Sequence, residues 1–180
     1  NDIIPLGKNV GIITDTEVMI YDEYGTLSIQ DGHNCTNPCV RTNGKRGIVF
    51  DVGYYFYKLL NGTSSAKGFD HDNQITSAAI ASNGSYAIAS ASSKYLTELT
   101  VNSKNNKQIA SWKSVNNYIN AVAFSNDSMR VAATGLYSQD GLAKTDFVIK
   151  SENIRWACVT IDLHTPNISI KASPETNQLG

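Results

Sequence analysis

The sequence predicts an all-β fold, a β-propeller-like array of about four antiparallel four-stranded blades that form part of a larger propeller. Three observations predict it. Short apolar runs recur in aligned columns, tight-turn residues separate them, and no segment keeps a helical 3.6-residue period for long. Ile4 and Ile12, Val40 and Ile48, Ile80 and Ile88, and Phe124 and Ala132 each stand eight residues apart. The turns between them are Gly7-Lys8, Asn43-Gly44, Asn83-Gly84 and Asp127-Ser128. A third column, Ile20, Phe56 and Leu96, follows eight residues later and falls on Asp140 in the fourth unit, where the pattern breaks. From Ile4 to Val40 is 36 residues, from Val40 to Ile80 is 40, and from Ile80 to Phe124 is 44. A period of about 40–45 residues, with four strands in each, is the mark of a propeller blade. A β-sandwich with regular turns is the competing fold, but sandwiches rarely repeat three aligned columns.

The chain reads as one domain, residues 1–180, with blades at roughly 1–32, 33–70, 71–114 and 115–170 and a tail at 171–180. In the first unit VMIYDEYGTLSI gives two strands around a turn at Glu23-Tyr24-Gly25. In the second, GYYFYKLLNGTSSAKGF gives strand, Asn-Gly turn and strand, and Asn-Gly admits the positive φ of a tight hairpin. Alternation sets Tyr55 and Tyr57 toward the next blade and Tyr54 beside Phe56. The third unit is the clearest. ITSAAIASNGSYAIAS is a hairpin of small residues, which suits an inner strand where backbones converge, and YLTELTVNS and KQIASW supply the outer strands. The fourth unit opens with YINAVAFS and MRVAATGLY. It then departs into a long hairpin arm, LAKTDFVIK, followed by WACVTIDL. Ile48, Phe56, Ile80, Ile88 and Leu96 are expected in the core, and Lys45, Lys58 and Lys104 in solvent. Open blade edges are a liability, so a second copy or the extra strands of the fourth unit are expected to cover the end blades. The first strand, Ile3-Ile4-Pro5, carries a proline that weakens ladder pairing.

Composition narrows the functions. The chain has 180 residues, 41% hydrophobic and only 17% charged, with a net charge of −1. No broad field attracts nucleic acid or an anionic membrane. No run of 18 apolar residues exists, so nothing in this segment inserts into a membrane as a helix. The chain begins at Asn1 without Met, which suggests a processed form or a piece of a longer protein. Lys45-Arg46 is the one adjacent basic pair and reads as a solvated hairpin tip.

No catalytic, cofactor-binding or metal-binding residue is assigned. Cys35, Cys39 and Cys158 are an odd number, which argues against a full disulfide framework. His33-Cys35-Cys39 is a thin metal cluster without a fourth soft ligand; Cys39 in a strand and Cys35 in a loop is the plainer reading. Asp70-His71-Asp72 is the densest titratable cluster and reads as a solvated turn, and His164 has no evident partner. Asn34, Asn61, Asn83, Asn126 and Asn167 begin Asn-x-Ser/Thr triplets, which chance explains in a chain this rich in Asn, Ser and Thr.

Several stretches occur in a suggestive order: TDTEVMIYDEYG, NPCVRTNGKRGIVFD, ITSAAIASNG, SSKYLTELTV and YINAVAFSNDSMRVAAT. Together they resemble a PQQ-like or YVTN-like β-propeller family of unknown function from clostridial Gram-positive bacteria, over about Thr14 to Thr134. The resemblance implies an extracytoplasmic propeller tethered by an N-terminal transmembrane helix that is not in this segment, and it brings no activity. WD40 repeats are a looser match, because the Gly-His and Trp-Asp dipeptides are missing and Trp112 is followed by Lys113.

The function expected is a non-catalytic extracytoplasmic binding or sensing module for a protein, peptide or glycan, with no cofactor. A quinoprotein-like enzyme would need a stacking Trp, Ca²⁺ ligands and often paired cysteines; Trp112 and Trp156 exist, but no Cys-Cys pair does. A structural part of an envelope assembly is the third possibility, and self-association through open blade edges is the partner it suggests.

Overall fold

The computed structural model describes residues 2–140, 142–151, 154–161 and 168–171, with side chains up to residue 145. Every regular element among the described residues is a strand. The first sheet is the meander β1 (Asp2–Leu6), β2 (Asn9–Ile13), β3 (Glu17–Tyr21), β4 (Leu27–Gly32). The second is β5 (Pro38–Asn43), β6 (Arg46–Asp51), β7 (Phe56–Asn61), β8 (Ser65–Asp70). The third is β9 (Ile75–Ile80), β10 (Tyr86–Ala91), β11 (Thr97–Asn102), β12 (Gln108–Ser114). The fourth has five strands: β13 (Tyr118–Phe124), β14 (Arg130–Gln139), β15 (Leu142–Ser151), β16 (Ile154–Ile161) and β17 (Ile168–Lys171). LAKTDFVIK and WACVTIDL are therefore hydrogen-bonded into the fourth sheet as β15 and β16 and extend it sideways.

The first strands of the sheets succeed one another, β1 against β5, β5 against β9, and β9 against β13. The sheets thus pack face to face as blades. β9, the small-residue strand, lies at the crowded inner edge and is buried on both faces. Alanine on both sides lets β5, β6 and β13 approach it, and Thr76 Oγ1 donates to Ile119 O (2.8 Å) across to the fourth sheet.

Strand alternation sends successive side chains into different blade interfaces. Ile48, Phe50 and Tyr57 pack with Ala78, Ile80, Tyr86 and Ile88 between the second and third sheets. Val49 and Leu60 face the other way, onto Ile4, Leu6, Ile13, Val18 and Ile20 of the first. Ala79, Ala87, Ala89 and Leu99 of the third meet Ile119, Val122, Val131 and Ala133 of the fourth.

Ile48, Ile80 and Ile88 are in the core as expected, and Lys45 and Lys104 are exposed. Three expectations fail for one reason: counting residues through a turn does not preserve strand register. Leu96 is 46% exposed, because β10 ends at Ala91 and the eighth residue after Ile88 falls in the loop before β11. Tyr54 and Tyr55 are exposed, because β7 begins only at Phe56 and they lie in the preceding turn. There their carbonyls accept from Ile75 N (2.7 Å) and His71 N (2.6 Å). Phe56 is half-buried against the first sheet, its ring over Gly68, where a Cβ would come within 2.8 Å of it.

Lys58 departs furthest, being 3% exposed rather than solvated. It shares a face with Phe56 and Leu60, opposite Gly68, which leaves room for its stem. Its Nζ reaches across the blade interface to donate to Asp31 Oδ2 (2.5 Å) and Gly32 O (2.6 Å). A buried ammonium persists only with such partners.

Candidate functional site

The sequence-predicted titratable clusters fall on the rim where each blade hands over to the next. His33 is buried in the β4–β5 connection. Its Nε2 carries the ring proton to Thr14 O (3.0 Å), and its Nδ1 accepts from Cys35 N (3.3 Å). Both ring nitrogens are thereby engaged by backbone. Cys35 lies in that connection and Cys39 in β5, both as free thiols. Burial, with Asp51 and Cys39 nearby, pushes the Cys35 thiol up to about 12. Asp51 is buried and accepts from Thr36 N (2.5 Å) and Asn37 N (3.2 Å). This cluster clamps the interblade connection. Among the described residues no group of three or more His, Cys, Asp and Glu is arranged to hold a metal ion.

Asp70 ends β8 and His71-Asp72 open the β8–β9 connection, where His71 Nδ1 lies 3.0 Å from Asn73 O and 3.2 Å from Asn73 N and the two aspartates are exposed. Trp112 packs half-buried against the core between the third and fourth sheets. Of the Asn-x-Ser/Thr positions, Asn34, Asn83 and Asn126 are exposed and Asn61 is half-buried. His164 and Asn167 lie outside the described residues, as do the side chains of Trp156 and Cys158.

A concavity lies between the second and third blades, on the rim made by the hairpin turns. Here β6, β7 and β8 face the β9–β10 and β11–β12 turns across a groove of about 490 Å³. Its floor is apolar, formed by Leu59, Phe69 and Ile80. Arg46, Lys67 and Lys104 bring three cations to its walls, and no carboxylate lines it among the described residues. Lys67 and Lys104 are exposed, whereas Arg46 is half-buried, a correction to its reading as a solvated hairpin tip.

Gly84 explains how two of these cations come together. Its φ is +90°, which only glycine adopts freely. A Cβ there would lie 3.2 Å from both Arg46 Cζ and Lys104 Cβ. The Asn83-Gly84 turn therefore seats the guanidinium of one blade beside the lysine stem of the next. Beneath the groove, Tyr57 stacks on Phe69 with ring centroids 5.4 Å apart. Its hydroxyl meets Tyr86 Oη at 3.2 Å, and Tyr86 Oη donates to Asn106 Oδ1 (3.2 Å). Burial, and then the hydrogen bond with Tyr86, raises the Tyr57 hydroxyl far above its ordinary value. That chain of groups holds the β11–β12 turn against the second blade.

Two buried polar atoms of residues lining the groove have no hydrogen-bond partner among the described residues: Arg46 Nε, a donor, and Asn61 Oδ1, an acceptor. Buried polar groups are paired in the great majority of cases, so each is notable. The groove is illegible in the linear sequence. Its faint signal is that Lys45-Arg46 and Lys104 both sit at hairpin tips, a pairing that carries meaning only once the blade order is known.

The architecture is that of a propeller-type protein with a basic groove between two of its blades. The chain belongs to the family of unknown function DUF5711, which it matches over residues 1–149. No curated protein matches it. Among solved structures, the tricorn protease is similar over 94% of this chain and 20% of its own, at 13% identity and a TM-score of 0.56. The WD40 domain of Neurospora crassa Pan2 is similar over 96% of this chain, at 10% identity and a TM-score of 0.49. The chain spans 64% of the length of that WD40 domain. At these identities the likeness is one of fold.

Proposed function

We propose that the chain is a non-catalytic binding or sensing module that works outside the cytoplasm, anchored to the membrane, and recognises a protein, peptide or glycan. The observation that carries this reading is the groove between the second and third blades, which opens on a rim of short hairpin turns supported by packed sheets. Sites on such a scaffold hold their geometry while the turns vary. The extracytoplasmic placement rests on the family resemblance of the five quoted stretches. A photo-crosslinking residue at Asn105, beside the groove, is expected to give a discrete adduct in cell-envelope extract. The same residue at Asp15, on the opposite rim, is expected to give none. Equal labelling at both positions, or at neither, overturns the reading.

A second reading, a structural part of a larger assembly, is favoured by the outward face of the first blade. Ile3 is 75% exposed there, and Val10 and Leu27, on β2 and β4, share that face and are also exposed. On this reading a second copy covers the face, as each blade covers its neighbour within the chain. Light scattering at micromolar concentration is expected to give twice the chain mass, and Ile3→Glu to return it to one. A single-chain mass for the unaltered protein removes this reading.

A further inference from the structure

We infer that the groove between the second and third blades binds an acidic peptide segment, one with a carboxylate side chain beside an apolar one. This rests on the binding-module reading and names its ligand class. Three features of the groove carry it together.

The first is charge. Arg46, Lys67 and Lys104 line the groove with no carboxylate among the described residues there, in a chain whose net charge is −1. The positive character is therefore local, and it suits a ligand that brings its own negative charge. The planar guanidinium of Arg46 matches a carboxylate in particular, by paired N–H···O bonds.

The second is the floor. Leu59, Phe69 and Ile80 offer apolar surface directly beneath the cations. A bare inorganic anion would leave that surface uncovered. Phe69 is the one aromatic ring in the lining among the described residues, and it stacks on Tyr57. A sugar or nucleobase would find no run of free aromatic faces on which to stack.

The third separates a peptide from other anions. Ser65 and Asn105 also line the groove and bring a hydroxyl and an amide, which both donate and accept. A fully ionised oxyanion offers acceptors only. A peptide offers a carboxylate to the cations and backbone N–H and C=O groups to Ser65 and Asn105. About 490 Å³ accommodates a few residues of extended chain, not a folded partner.

The test uses the whole chain and three probes: acetyl-Ala-Glu-Leu-Glu-Ala-amide, its counterpart with Gln at both Glu positions, and sodium phosphate. Backbone amide shifts of Arg46, Lys67, Gly84 and Lys104 are followed by ¹⁵N NMR. The Glu peptide is expected to shift them saturably and to bind about ten-fold more tightly than the Gln peptide. Lys67→Glu with Lys104→Glu, both at exposed positions, is expected to weaken the Glu peptide about ten-fold while the thermal transition stays in place. Equal affinity for the two peptides overturns the acidic preference and leaves the groove as a binding site. Phosphate saturating the same shifts at the same concentration as the Glu peptide overturns the peptide assignment. No saturable shift with any probe overturns the inference, and adducts at Asn105 would then still speak for the broader reading.

Discussion

Replacing Phe50 with alanine is expected to lower the stability of the protein by about 3–5 kcal/mol, the range for truncating a fully buried aromatic. Phe50 is 2% exposed and stands where the second and third blades meet, in one cluster with Tyr57, Ile75, Ile80, Tyr86 and Ile88. Its removal leaves a cavity walled by two sheets, each held in place by its own hydrogen-bonded ladder, so neither collapses easily to fill it. Urea unfolding reads the effect as a lower midpoint at constant slope. Phe56, the aromatic singled out by the column pattern, is only half-buried, and its truncation is expected to cost less than that of Phe50. A loss below about 1 kcal/mol for Phe50→Ala would show that the two blades do not pack as described.

The second large effect is at the bridge between the first two blades. Asp31→Ala is expected to cost about 2–4 kcal/mol, because it leaves the ammonium of Lys58 buried with only Gly32 O as a described partner. Lys58→Met is expected to cost less, within about 1.5 kcal/mol. It removes the buried charge, keeps much of the stem volume, and leaves an aspartate whose side chain is 51% exposed and can hydrate. The ordering of the two variants is the informative quantity, measured by the same unfolding experiment. If Lys58→Met proves the more damaging, the ion pair is not the source of the effect and the packing of the lysine stem is.

Much of the fold was legible because blade strands are written locally. The turns at Asn43-Gly44 and Asn83-Gly84 both fall between paired strands, and both glycines have positive φ. The columns located strands well but faces poorly, and hairpin register shows why. Ile80 pairs with Tyr86, so Ile88 returns on the same face as Ile80. Val40 pairs with Val49, so Ile48 returns on the opposite face from Val40. One residue more or less in the turn moves a whole strand between interfaces. The spacing of eight is the same in both units, and only the pairing distinguishes them.

The sequence by itself determined the strand-forming runs, the turns and the repeat, because alternation and positive φ are properties of a few adjacent residues. It also determined that β9 would be an inner strand, since a run of Ile, Ala and Ser has no polar face to offer water. What lies between blades was decided by the tertiary structure alone. Lys58 reads as a surface cation until Asp31, 27 residues earlier, is brought to its ammonium. Arg46 reads as a solvated tip until the Gly84 turn closes over its guanidinium and places Lys104 beside it. A side chain's burial and the charge around it are sums over neighbours distant in the chain. In a stack of blades those neighbours are set by register and by which faces meet, and no stretch of adjacent residues encodes either.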